Sequence, residues 1–176
     1  MKDNITLPAG YKEIEPAELG NAFKMIGKEW MLICAPDERW GASAMTASWG
    51  CFGVLWNKPV CVCFIRPQRH TFGLVESSER VTLNFFGEGF RRELGYFGRA
   101  SGRDTDKAAD MGMKTAGGDS PYFADAETVL FCKKLYADDL KKDKFIDGEM
   151  LSHYPIDDFH RVYVCEIECA MVKETK

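Results

Sequence analysis

The chain has 176 residues, 23 Lys and Arg against 27 Asp and Glu, a net charge of −4, and 45% apolar residues. One domain spanning residues 1–176 is expected at that length, able to bury a core without disulfides or metal and too apolar for a disordered chain. The mild acidity and the lack of a basic block exclude the footprint of a nucleic-acid binder or of a protein held on an anionic membrane, so any anion site is local.

Met1-Lys2-Asp3-Asn4 leads into no apolar h-region, and no stretch approaches the roughly 18 apolar residues of a spanning helix, so the sequence reads as cytoplasmic. Cys34, Cys51, Cys61, Cys63, Cys132, Cys165 and Cys169 are odd in number and mostly sit among Val, Ile, Phe and Leu. They read as small buried hydrophobes in a reducing compartment.

In chain order, residues 1–15 read as an irregular lead-in and residues 16–25 as a short helix opened by Pro16. Residues 29–36 form a strand candidate that Pro36 and Asp37 close. Residues 44–55 and 59–66 are apolar runs rich in β-formers, joined as a hairpin through Trp56-Asn57-Lys58. A helix over 71–77, a strand over 80–86 and a helix over 88–97 follow. Residues 112–126, with Gly117-Gly118-Asp119-Ser120-Pro121, read as a loop, Gly148 as the end of a turn, and 128–138 and 161–172 as late strands. Many short strands with few helices predict a mainly β fold, an antiparallel barrel with helical additions, because a parallel sheet needs a helix after nearly every strand.

Several motifs fail. Gly87-Glu88-Gly89-Phe90-Arg91-Arg92 follows a strand and opens a helix, but Arg92 stands where a dinucleotide fingerprint needs its third glycine, so it reads as a turn. His70, His153 and His160 are not at metal spacing, no C-x-x-C occurs, and Cys61 with Cys63 and Cys165 with Cys169 read as same-face core pairs on strands. No Gly-x-Ser-x-Gly elbow supports a hydrolase triad.

Three segments survive. Ser101-Gly102-Arg103-Asp104 fits a capping box before a helix carrying Lys107, which is either an ordinary capped surface helix or, with Arg103, a phosphate-sized anion site. Arg66-Pro67-Gln68-Arg69-His70-Thr71 turns into a helix with Thr71 as its N-cap, which sets two guanidinium groups beside another helix start. In Met45-Thr46-Ala47-Ser48-Trp49-Gly50 small residues beside Trp49 leave space for a planar ring, unless Trp49 simply packs in the core.

These segments, with Leu55-Trp56-Asn57-Lys58-Pro59, Asn84-Phe85-Phe86 and Tyr154-Pro155-Ile156-Asp157-Asp158-Phe159-His160, resemble in this order the flavin reductase-like family of FMN-binding split barrels, over roughly residues 28 to 170. The resemblance implies a Greek-key-like split β-barrel, a homodimer, and FMN near the subunit interface. It implies that Met45, Thr46, Ala47, Ser48 and Trp49 line the isoalloxazine and that Phe64 and Ile65 run along the ring and ribityl chain. By the same analogy Arg66, Arg69 and Thr71 reach the phosphate, Asn84 approaches from its strand, and Ser101, Gly102 and Lys107 close the site. The sequence departs from the family pattern at His70 and Cys51, and Cys51 faces the side of Trp49 if its strand is regular.

The implied activity is an oxidoreductase in which NADH or NADPH passes hydride to the flavin N5, and no side chain is needed as acid, base or nucleophile. The alternative is a flavoredoxin-like carrier that holds FMN and exchanges electrons with a redox protein partner; a binding module for haem or another phosphorylated ligand is a third. Arg66→Ala and Lys107→Ala are each expected to weaken FMN binding.

Overall fold

A computed structural model describes residues 7–174. Positions 1–6 of the lead-in lie outside the described residues; the remainder is not irregular, because Tyr11–Ile14 forms strand β1 against the C-terminal strand. Residues 16–25 are not one helix either. Pro16–Glu18 is a 3₁₀ turn, Ala22–Lys24 (α1) a single turn capped by Asn21, and Met25–Glu29 a π-turn.

The expected run over 44–55 is two strands with different partners. After β2 (Met31–Asp37), β3 (Gly41–Ala47) pairs with β2, whereas β4 (Gly50–Leu55) pairs with β5 (Lys58–Ile65). Trp56 and Asn57, with φ of 53° and 57°, form the two-residue hairpin turn whose left-handed backbone matches the strand twist. Then come α2 (His70–Ser77), β6 (Arg80–Phe85), the 3₁₀ turn Glu88–Phe90, α3 (Arg91–Arg99) and α4 (Lys107–Asp110). The expected loop over 112–126 contains a small hairpin, β7 (Thr115–Ala116) with β8 (Tyr122–Phe123). The long strands β9 (Thr128–Asp139) and β10 (Arg161–Lys173) are joined through 3₁₀ turns at Lys142–Lys144 and Gly148–His153, so Gly148 opens a turn and does not close one.

The strand order is β3-β2-β6-β9-β10-β5-β4, all antiparallel. β3 and β4 lie at opposite ends of that order, yet only Ser48 and Trp49 separate them in the chain. Two residues bridge about 10 Å, while the edges of a flat sheet of seven strands would stand roughly 29 Å apart. The sheet must therefore curl until its edges meet, and β3 and β4 make no ladder there: the barrel stays open along one seam.

Alternation along the strands builds two cores. Met31, Ile33, Met45, Ala47, Cys61, Cys63, Ile65, Leu83, Leu130, Cys132, Tyr163 and Cys165 fill the barrel. The opposite faces, with Leu32, Cys34, Ala44, Val129 and Phe131, pack under α3 and the 113–126 segment through Leu94, Phe97 and Phe123. Both ladder partners Cys132 and Phe131 meet β10 across a bulge at Glu168. The extra residue turns Cys169 and Met171 to the outer core and leaves Glu168 to pair with Arg80.

Candidate functional site

The seam holds a cleft of about 240 Å³ lined by Met45, Thr46, Ala47, Ser48, Trp49, Phe64, Arg66, Arg69 and His160. A larger cavity of about 770 Å³ lies among Asp37, Glu38, Arg39, Ser77, Arg80 and Asp119. That cavity mixes both signs of charge and lacks an aromatic wall, so it offers no slot for a planar ring, and the seam cleft is the candidate site.

One wall is aromatic. Trp49 keeps 43% of its surface exposed, meets the His153 ring edge-on at 5.5 Å and lies 5.1 Å from His160, which in turn stands 6.4 Å from Phe64. His160 immediately precedes β10, and its Nδ1 lies 2.9 Å from the Tyr154 hydroxyl. Burial first, then the Arg66 and Arg69 charges, push its pKa down to about 4 against the opposing pull of Asp158, so the ring is neutral near pH 7.

The other end is cationic. Arg66 leaves the end of β5 and is bound to the Asp158 carboxylate, while its second terminal nitrogen donates to the His153 carbonyl at 2.9 Å. Gln68 donates to the same Asp158 oxygen at 2.6 Å, and the other Asp158 oxygen is buried without a partner. Arg69 donates to the Gly98 carbonyl at 2.6 Å and has no carboxylate partner among the described residues; burial lowers its pKa from the ordinary arginine value. Arg69, not Thr71, is the N-cap of α2, and its side chain does not cap. Thr71 is buried inside the first turn, and the helix start is left for solvent or a ligand.

Ser101 and Gly102 flank that start. A Cβ on Gly102 would lie 2.6 Å from both the His70 ring and Ser43 Oγ, so only glycine lets this turn sit against α2. His70 is held by Asp37 at 3.1 Å. The expected capping box does not form: Ser101 accepts from Arg103 N–H, and Asp106 caps α4 by accepting from Ala108 and Ala109. Arg103 donates to the Gln68 carbonyl at 3.2 Å.

Three expected positions lie elsewhere. Lys107 is buried, and its ammonium donates to the carbonyls of Ala44 (2.5 Å), Phe97 (3.2 Å) and Ala100 (3.3 Å), which uses all three of its hydrogens inside the protein. Asn84 is buried on the outer core face, donating to Leu32 O and Thr82 Oγ1 and accepting from Phe123 N–H. Ile65 points into the barrel because Phe64 faces the cleft and strand side chains alternate. The 112–126 segment packs on Asn84 and the outer core and contributes no residue to the cleft lining. Cys51 is exposed on β4 and does not line the cleft. Among the described residues no group of three or more His, Cys, Asp and Glu is placed to hold a metal ion.

The expectations omitted His160, whose ring completes the aromatic wall. Its signal was present in Tyr154 to His160, a segment that carries two polar aromatic groups and ends on a histidine at the mouth of a strand, but spacing alone did not connect it with Trp49.

Residues 24–176 match the family model of the flavin reductase like domain. No curated protein matches the sequence. Among solved structures the chain is similar to flavoredoxin of Desulfovibrio vulgaris (18% identity, 82% of this chain and 69% of that one, TM-score 0.64). It is similar to an FMN-binding domain of a flavin reductase-like enzyme from Shewanella baltica (17%, 93% and 77%, 0.65). A third is the styrene monooxygenase flavin reductase of Pseudomonas putida S12 (13%, 84% and 80%, 0.62). At these identities the likeness concerns the fold, and it agrees with the expected split barrel.

Proposed function

The chain belongs to the flavin reductase-like family, and from that premise we propose that it is an FMN-binding oxidoreductase reduced by NADH or NADPH. The observation that carries the reading is the seam cleft itself, an aromatic-walled slot ending at a guanidinium that no carboxylate among the described residues neutralises and at a helix start that its N-cap side chain does not cap. FMN presents a planar ring at one end and a phosphate at the other, and the residues present fit both. Ala47 and Ser48 leave room beside Trp49, while Arg69 and the first turn of α2 suit the phosphate. Structural neighbours described as FMN-binding or as flavin reductases support the same cofactor.

When bound, FMN supplies hydride exchange with a nicotinamide and passes electrons onward. The protein's residues orient and shield. Trp49, Phe64 and His160 bound the ring slot, and Arg69 anchors the charged end. Arg66, tied to Asp158 and His153, holds the β9–β10 connection against the slot. At about 240 Å³ the cleft of one copy falls below the usual ligand-pocket range of about 300–1,000 Å³. Trp49 is exposed in it, and Val54 and Trp56 are exposed farther along the β4–β5 hairpin. Both facts support a homodimer in which a second copy covers the ring. Cys34, Cys61, Cys63, Cys132 and Cys165, buried as small apolar side chains, support a reducing, cytoplasmic setting, and among the described residues no helix is long and apolar enough to cross a membrane.

The likeness to flavoredoxin supports a second reading, a carrier that holds FMN and exchanges electrons with a protein partner. Anaerobic mixing of the FMN-loaded protein with NADH or NADPH separates the two. Bleaching of the flavin absorbance is expected; a bound flavin that neither nucleotide bleaches leaves the carrier, and failure to take up FMN at all overturns both.

A further inference from the structure

The buried hydroxyl of Tyr154 has one hydrogen-bond partner among the described residues, Nδ1 of His160 at 2.9 Å. A phenol carries a single hydrogen, and no carbonyl or carboxylate accepts from this one. If His160 carried its proton on Nδ1, the phenol oxygen would accept it and the phenol hydrogen would be buried without an acceptor, so Tyr154 donates and Nδ1 accepts. The proton of the neutral imidazole is then on Nε2, which has no partner among the described residues, on a ring that lines the cleft.

Tyr154 is itself held firmly. Phe159 lies 4.8 Å and Phe145 5.8 Å from its ring, and the Arg66 guanidinium stands 5.2 Å over its face. The charged groups that act on His160 are Arg66, Arg69 and Asp158. Two cations oppose a second proton on the ring, and the Asp158 carboxylate is already bound by Arg66 and Gln68.

We propose that Tyr154 is a positioning residue: by donating to Nδ1 it fixes His160 as the Nε2–H tautomer, which presents a hydrogen-bond donor to an acceptor on the ring held in the cleft, a carbonyl oxygen or a pyridine-type nitrogen. The inference rests on the reading that the cleft holds a flavin. It makes the connection between β9 and β10 part of the ligand-binding machinery and assigns the cleft a preference for rings with an acceptor on the His160 side.

The test combines ¹⁵N NMR of the histidine nitrogens with FMN titration of the unaltered protein, Tyr154→Phe, His160→Gln and the double variant. In the unaltered protein the Nε2–H pattern is expected from pH 7.5 down to 5. In Tyr154→Phe the ring loses a donor to its neutral form, so His160 takes up a second proton at higher pH. The FMN dissociation constant rises about fivefold, the value of one hydrogen bond. In the His160→Gln background, Tyr154→Phe has no further effect, because no Nδ1 remains to be held. A proton on Nδ1 in the unaltered protein would overturn the inference, as would an equal loss from Tyr154→Phe in both backgrounds, which marks a packing role. Absence of FMN uptake by the unaltered protein, with the Nε2–H tautomer intact, is a separate result: it removes the flavin reading and the ring acceptor with it.

Discussion

Lys107→Met separates a phosphate ligand from an internal strut. The ammonium joins three pieces of chain, β3 at Ala44, the last turn of α3 at Phe97 and its C-cap Ala100. Three charge-assisted bonds are worth about 1.5 kcal/mol each at the low end. Against them, burial and the Arg69 charge push the pKa down from 10.5 to about 8, which caps the penalty on the charged form at about 3 kcal/mol. The geometry still describes the ammonium, because a neutral amine has only two hydrogens for three carbonyls, and a pKa of about 8 keeps the group protonated at pH 7. The difference is about 1–2 kcal/mol, and methionine also leaves three carbonyls facing an apolar chain, so a loss of about 2–3 kcal/mol is expected. Because the folded pKa lies below the unfolded one, the fold binds fewer protons than the unfolded chain between pH 8 and 10.5. The stability contributed by Lys107 therefore rises with pH across that window, and the gap between the two proteins widens. Urea denaturation of both at pH 7 and 9.5, beside FMN titration at pH 7, measures this. Equal stability at pH 7 with a tenfold loss of FMN affinity would refute the reasoning and put the ammonium on the ligand.

Arg69→Ala is expected to weaken FMN binding by about tenfold to a hundredfold, the range for one charge-assisted bond. Arg66→Ala should weaken it less, because two Arg66 donors are already engaged by Asp158 and the His153 carbonyl; fluorescence titration that ranks them the other way moves the phosphate to Arg66. Gly50→Ala puts a Cβ 2.9 Å from the Val62 carbonyl oxygen, a backbone atom that cannot rotate away. A loss of about 1–3 kcal/mol is expected in thermal unfolding, and an unchanged midpoint would show that β4 tolerates a shift at the seam.

Local chemistry made much of the barrel legible. The hairpin at Trp56 and Asn57, the strands β6, β9 and β10, and the small-residue slot from Met45 to Trp49 all rest on alternation and turn composition within a few neighbours. The same short-range logic misplaced what depends on distant partners. The run over 44–55 reads as one strand, and only closure of the sheet shows that it must break at Ser48 and Trp49 and open the cleft there. Lys107, a cation near a helix start in the sequence, lies under three carbonyls from β3 and α3. Asn84 belongs to the outer core because its neighbours across the ladder are Leu32 and Val129. His160 reaches Trp49 only because β10 pairs with β5 and carries the end of a long connection to the seam. What the sequence determined by itself was the periodicity, the turns and the residue types available for a ring and an anion. The tertiary structure decided which of them share a cleft, since barrel closure sets neighbours that sequence distance does not encode.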